Sequence, residues 1–230
     1  MRYQYWDEKT ETMPRGELEA LQLDALRAAV ARALGTTYNA PRLAAAGIRD
    51  SSDIRSLDDL RRLPFTTKHD LRESFPYGML AVPKEEVVRL HASSGTTGVP
   101  TTIYFTRKDI SRWSSNMARS IFASGCTSAD VFQNMITYGI FTGGLGLHYG
   151  AEKVGMLVIP AGPGNTPRQF RMMRDYGTTV VHSTPSFLLH VQSKMIEEGI
   201  DRADLKLRKA FAGAEPYSED TRRRIEALLD

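Results

Sequence analysis

The residues best suited to chemistry lie in one stretch, Ser93-Ser94-Gly95-Thr96-Thr97-Gly98-Val99-Pro100-Thr101. Glycine lets the backbone bend where a side chain would clash and lets a ligand approach the main chain closely. Successive N–H groups in such a bend form an anion-binding concavity, and hydroxyls add donors without fixed charge. The types and spacing suit a polyphosphate; read alone, the stretch also suits a polar hairpin turn. It is not a Walker A loop, because Gly98 is followed by Val99 and Pro100 rather than Lys and Ser/Thr. Gly144-x-Gly146 falls short of a dinucleotide fingerprint, with Tyr149 at the position of the third glycine. The five histidines are scattered without metal-ligand spacing, so no metal site is expected. No Gly-x-Ser-x-Gly or reactive-cysteine signature supports hydrolase chemistry.

The loop must be held by its neighbours, Val87–Ala92 and Thr102–Thr106, which read as two strands. Before them, residues 1–75 read as a helical leader. A long amphipathic helix starts near Thr12–Pro14 and ends at Gly35, and a short one runs from about Pro41 to Gly47. A third starts at Ser56 and stops by Pro64; a fourth is capped by Thr66 or Thr67 and runs through Leu71. After the loop, residues 76–230 change rhythm. Ile110, Trp113, Met117 and Ile121 mark a helix from about Arg107 to Ser124. Strands at Val131–Ile136, Met156–Ile159, Thr179–His182 and Leu207–Phe211 alternate with helices at about Leu147–Val154, Pro167–Tyr176, Pro185–Glu198 and Ser218–Leu229. This alternation predicts an α/β fold, a mostly parallel sheet with helices on both faces. Ligands on such sheets sit at the carboxyl ends of strands, which here are the loops Tyr138–Gly146, Gly162–Thr166, Thr184–Ser186 and Gly213–Pro216.

Composition sets bounds on function. At 230 residues and 41% hydrophobic, the chain can bury a substantial core. No run approaches the roughly 18 apolar residues of a membrane helix, and no membrane partner is expected. A net charge of +3, without basic-aromatic interleaving, gives no nucleic-acid surface. The single cysteine, Cys126, excludes an internal disulfide and fits a reducing, cytoplasmic compartment, where it reads as a small buried hydrophobe.

The loop resembles the phosphate-binding signature of the adenylate-forming (acyl-CoA synthetase) superfamily. Further segments resemble its phenylacetate–CoA ligase family, in that family's order: Tyr5-Trp6, Glu11–Pro14, Leu63-Pro64-Phe65-Thr66-Thr67-Lys68, Tyr138–Gly146, His148-Tyr149-Gly150, Thr184-Pro185-Ser186 and Gly213-Ala214-Glu215-Pro216. The resemblance implies a two-step reaction: an aryl carboxylate and MgATP give an acyl-adenylate and pyrophosphate, and coenzyme A then displaces AMP. It implies that Ser93, Ser94, Gly95, Thr96, Thr97 and Gly98 hold phosphates and that Gly213, Ala214, Glu215 and Pro216 flank adenine. Tyr138, Phe141, Gly143, Gly144, Pro185 and Ser186 would line an aryl-acid pocket, and Lys68 would be brought toward the phosphates. Without the family, Gly213–Pro216 reads as a helix start, Tyr138–Gly144 as a tight strand-to-helix loop, and Lys68 as a solvated lysine.

Two departures stand out. The family's loop lysine, just before or after the proline, is replaced by Val99 and Thr101, which removes one charge-assisted phosphate contact. The chain also stops at Asp230, before the segments expected to carry the magnesium-binding glutamate, the ribose-binding aspartate and the adenylation lysine. The expectation is an N-terminal half, completed in a longer chain or by a second polypeptide. The other reading is a non-catalytic module that self-associates, as a homodimer or with a partner chain, through an open sheet edge.

Overall fold

In the computed structural model, which describes residues 5–93, 100–227 and 229, the chain forms two compact units, Tyr5–Ile110 and Ser111–Asp230. Local capping explains the helices of the first unit. Asp7 accepts from Thr10 N and starts the one-turn helix α1 (Glu8–Glu11), so Thr12 closes a helix rather than opening the long one. Pro14 flanks α2 (Arg15–Leu34), and Gly35 ends it. Helix α3 (Asn39–Ala45) takes Pro41 in its first turn, where the missing N–H costs no helical bond. The segment after Ser56 is a 3₁₀ helix, 57–62, instead of an α-helix. Its Ser56–Asp59 capping box and the approach of Pro64 leave room for only this tight winding. A second capping box, Thr67 with Asp70, starts α4 (Lys68–Glu73). Val30, Leu43, Ile48 and Ile54 are buried together beneath these helices.

Strands β1 (Val87–Ala92) and β2 (Thr102–Thr106) pair antiparallel, with Ala92 opposite Thr102. Beyond the last pair, Ser93 N donates to Thr101 O at 3.0 Å, and Thr101 N donates to Ser93 Oγ at 3.1 Å.

Helix α5 (Arg107–Ala123) leads into the second unit. There follow β3 (Val131–Asn134), α6 (Thr142–Val154), β4 (Leu157–Ile159), α7 (Thr166–Tyr176), β5 (Val180–Ser183), α8 (Pro185–Glu197), β6 (Lys209–Ala212) and α9 (Glu219–Glu226). The four strands form one parallel sheet in the order β4-β3-β5-β6. Crossovers between parallel strands are right-handed, so a connection that reverses direction must lie on the opposite face. The α6 connection runs outward to β4, whereas those of α7 and α8 run the other way. Their helices accordingly cover opposite faces. Phe132, Val180 and Phe211 pack with Ile121 of α5 and Leu147 and Ala151 of α6. Val181, Ala210 and Ala212 face Phe170 and Met173 of α7, Leu188 and Val191 of α8, and Ile225 of α9. Neighbouring residues of β5, Val180 and Val181, thus belong to different cores, as the two-residue period of a strand requires.

Candidate active site

In this sheet order the connections from β3 and β5 leave in opposite directions, which makes the gap between their carboxyl ends the topological switch point. A cleft of ≈ 400 Å³ opens there, lined by residues 135–137 after β3, Pro163, Ser183 at the end of β5, residues 184, 186 and 187 at the start of α8, and His190. Met135, Ile136, Pro163 and Phe187 give it apolar walls, while Thr137, Ser183, Thr184 and Ser186 add hydroxyls to the lining. Phe187 and His190 lie with ring centroids 5.8 Å apart.

The segment after β3 carries the expected pocket aromatics, but in a different local structure from the one its sequence suggests. Helix α6 begins at Thr142 rather than Leu147, so Gly143 and Gly144 lie in its first turn and Phe141, half exposed, is its N-cap. The buried Asn134 side chain fixes this start by donating to Gly144 O at 2.8 Å. A Cβ on Gly144 would run into the Thr137 carbonyl, whereas one on Gly143 would meet nothing nearer than Ile136 Cδ1 at 3.9 Å. Farther along, Gly146 and Gly150 let α5 lie close: an added Cβ would come within 2.6 Å of the Trp113 ring and of Met117, respectively.

The Tyr138 hydroxyl lies 3.1 Å from His148 Nδ1, and His148 Nε2 lies 3.1 Å from a Glu152 carboxylate oxygen. A carboxylate can only accept, so in neutral His148 the Nε2 carries the hydrogen and Nδ1 accepts from the phenol. Burial pushes the Tyr138 pKa up to about 12, which keeps that phenol a donor at neutral pH. On the other side, His182 Nδ1 meets Asn134 Oδ1 at 2.9 Å, and burial pushes its pKa down to about 4. Sequence reading did not assign His148, Glu152, Asn134 or His182 to the site. The four-residue spacing of His148 and Glu152 on a helix face was the available signal.

Pro185 and Ser186 form the first turn of α8. The N-cap Thr184 Oγ1 accepts from Phe187 N at 3.4 Å, Pro185 has no N–H, and Ser186 N finds its partner 29 residues away in the Glu215 carboxylate, at 3.1 Å. Ser186 Oγ donates to the other oxygen of that carboxylate at 2.8 Å. These bonds from the Ser186 side chain and backbone hold Glu215 below the usual glutamate range. Gly213–Pro216 follow β6, and Ala214 takes a left-handed conformation at φ +69°. Tyr138, Phe141, Gly143, Gly144, Pro185, Ser186 and Gly213–Pro216 thus all follow the carboxyl ends of neighbouring strands.

In the first unit, Lys68 is exposed at the first position of α4. A cation there opposes the helix dipole, so local helix stability does not account for it. Ser93 holds the base of the hairpin loop, and Ser94, Gly95, Thr96, Thr97 and Gly98 lie outside the described residues. Among the described residues no cluster of three or more His, Cys, Asp or Glu could hold a metal, and no helix is long and apolar enough to cross a membrane.

Residues 25–230 match the AMP-binding enzyme family. Phenylacetate-coenzyme A ligase of Pseudomonas putida is 50% identical over 177 residues, 77% of this chain and 40% of the relative. The ligase of the same name from Aromatoleum evansii is 43% identical over 220 residues, 96% of this chain and 50% of the relative. The chain spans about half the length of the curated relatives it matches, and that half is N-terminal. Among solved structures, a 2-hydroxyisobutyryl-CoA ligase in complex with 2-HIB-AMP and CoA superposes with a TM-score of 0.89 at 27% identity. That match covers 98% of this chain and 50% of that one.

Proposed function

Because the chain belongs to the AMP-binding enzyme family, we propose that it forms the N-terminal part of a ligase that activates phenylacetate, or a close aryl relative, with ATP and passes the acyl group to coenzyme A. The carboxylate oxygen attacks the α-phosphorus of ATP and pyrophosphate leaves. The coenzyme A thiol then attacks the acyl carbon, losing its proton as AMP departs. The first step joins two anions, so the protein must supply positioning and positive potential. Ser93–Gly98 would cradle the β- and γ-phosphates. With Val99 and Thr101 where the family keeps a lysine, Lys68 is the cation assigned to offset their charge. Gly213–Pro216 would lie beside adenine. Of the residues expected to bound the acid site, Ser186 lines the switch-point cleft, whereas Tyr138, Phe141, Gly143, Gly144 and Pro185 are not among its lining residues and would bound the acid from the adjoining turns after β3 and at the start of α8. Mg²⁺ would travel with the nucleotide; the described residues offer no ligand cluster for it, and none is assigned.

One observation carries this reading: the switch-point cleft combines apolar walls with several hydroxyls, and its ≈ 400 Å³ suits an aromatic ring that carries a polar group. The relatives' shared name and the acyl-adenylate and coenzyme A in the matched structure point the same way. The lone Cys126, buried and reduced, is compatible with work in the cytosol. The test is pyrophosphate release from MgATP with a panel of aryl acids, using this chain and the chain continued to its relatives' length. Release with phenylacetate from the longer protein is expected; silence across the panel overturns the proposal. Pairing with a second copy or a complementing polypeptide is a second reading, favoured by the edge position of β4 and its exposed Leu157, and sedimentation of the 230-residue chain checks it.

A further inference from the structure

The first turn of α8 faces the cleft with its free N–H groups already satisfied within the chain. Helix N-termini bind anions because their first N–H groups lack helical partners and the dipole adds positive potential. Here the anion is Glu215, whose carboxylate takes the Ser186 N–H with one oxygen and the Ser186 hydroxyl with the other. Charge-assisted bonds of this kind are roughly twice as strong as neutral ones. Three consequences follow from the geometry. The segment after β6, with its left-handed Ala214, is tied to the segment after β5. The Ser186 hydroxyl hydrogen is committed to Glu215, so only oxygen lone pairs remain to face the cleft. The carboxylate also sets a negative charge directly behind Ser186, a lining residue of the cleft, and so disfavours a substrate carboxylate on that side.

We propose that Glu215 is a positioning residue that caps α8 from across the sheet and, through Ser186, fixes the cleft lining so that the acid is held ring-inward with its carboxylate away from α8. This rests on the ligase reading above, and it gives Glu215 a task besides its proposed place next to adenine.

Two measurements test it, and only one of them needs ligase activity. In the 230-residue chain, Glu215→Gln removes the charge at nearly constant volume. Hydrogen exchange at the Ser186 amide is expected to speed by roughly tenfold or more relative to the parent, because a bond to a charged acceptor is lost. Unchanged exchange overturns the clamp whatever the enzyme does. In the continued, active chain, Glu215→Gln and Ser186→Ala are each expected to raise KM for the aryl acid about tenfold or more with smaller changes in kcat and in KM for ATP. The double variant should be no worse than the worse single one, because both act on the same Ser186–Glu215 link. Additive effects, or a rise confined to KM for ATP, overturn the proposal. Glu215→Asp, shorter but charged, should recover part of the acid KM. If Glu215→Gln does not fold, Ser186→Ala with Glu215→Asp carries the same comparison. An inactive parent enzyme removes the ligase reading but leaves the exchange test standing.

Discussion

Single residues at the carboxyl ends of the strands divide into those the backbone demands and those it merely tolerates. Gly143 and Gly144 are adjacent, share one helix turn and read alike in the sequence, yet only Gly144 is locked by a neighbouring carbonyl. Gly144→Ala is expected to cost about 2 kcal/mol or more, because the clashing Thr137 oxygen belongs to backbone that cannot swing aside. Gly143→Ala should leave stability unchanged or raise it by up to ~1 kcal/mol, since alanine is the better helix former. Urea denaturation of the two variants separates them, and equal effects would contradict the described start of α6. If the acid ring packs on this turn, Gly143→Ala should weaken binding of the acid without weakening the fold. The identity of Gly144 was legible in the sequence as part of a glycine cluster. Its reason was not, because the Thr137 carbonyl comes near only after the chain has turned from strand into helix.

Among elements, α7 is attached by a buried polar network as well as by the apolar side chains Phe170 and Met173. Gln169, fully buried, donates to Gly162 O at 2.9 Å and Gly164 O at 3.0 Å, and accepts from Gln133 Nε2 at 2.7 Å. Thr178 closes the chain by donating to Gln133 Oε1 at 2.8 Å. The network joins β3, α7 and the loop that brings Pro163 to the cleft. Gln169→Leu would keep the volume but strand the Gly162 and Gly164 carbonyls and leave the buried Gln133 amide only its bond to Gln169 O, at a cost on the order of 3 kcal/mol. Adding Gln133→Leu should cost less than the sum of the two single changes, since each partner is then spared an unpaired neighbour; thermal or urea unfolding of the four proteins in the cycle reads this coupling. Sequence periodicity located α5, α7 and α8 to within a few residues, because their apolar stripes and flanking glycines or prolines mark them. It placed α6 five residues late. The glycine run lowers intrinsic helix propensity, and the compensation lies outside the segment, in the Asn134 bond and in the close approach of Trp113 and Met117.

At the scale of the molecule, acid stability should be governed by a histidine that burial keeps neutral. The folded His182 pKa, about 4, lies below its unfolded value near 6.5. Between those values the unfolded chain binds the extra proton, so stability is full above pH 6.5 and falls as the pH drops toward 4, by on the order of 3 kcal/mol in all. His182→Gln should flatten stability against pH across that window, while a wild-type curve already flat there would contradict the assignment. Asp130 acts at lower pH. Burial works against its charge, but bonds from Thr179, the Thr127 backbone and Arg208 outweigh it and hold its pKa below the ordinary value, so its contribution disappears only on further acidification. The alternation of strands and helices made the parallel sheet legible from the sequence alone. The cleft was less so, since residues 135–137 and 183–187 lie far apart in the chain and meet only because the connection through α7 passes back over β3.

That strand order separates inheritance from adaptation. The hydrogen-bonded ladder and its two apolar cores use the strand interiors, whereas every residue lining the cleft sits at a strand tip, in a connection or on the first turns of a helix. Exchanges at residues 135–137, 163 and 184–190 can therefore reshape what the cleft admits while the ladder keeps its register. A lineage built on this scaffold is free to change what its cleft admits without having to refold.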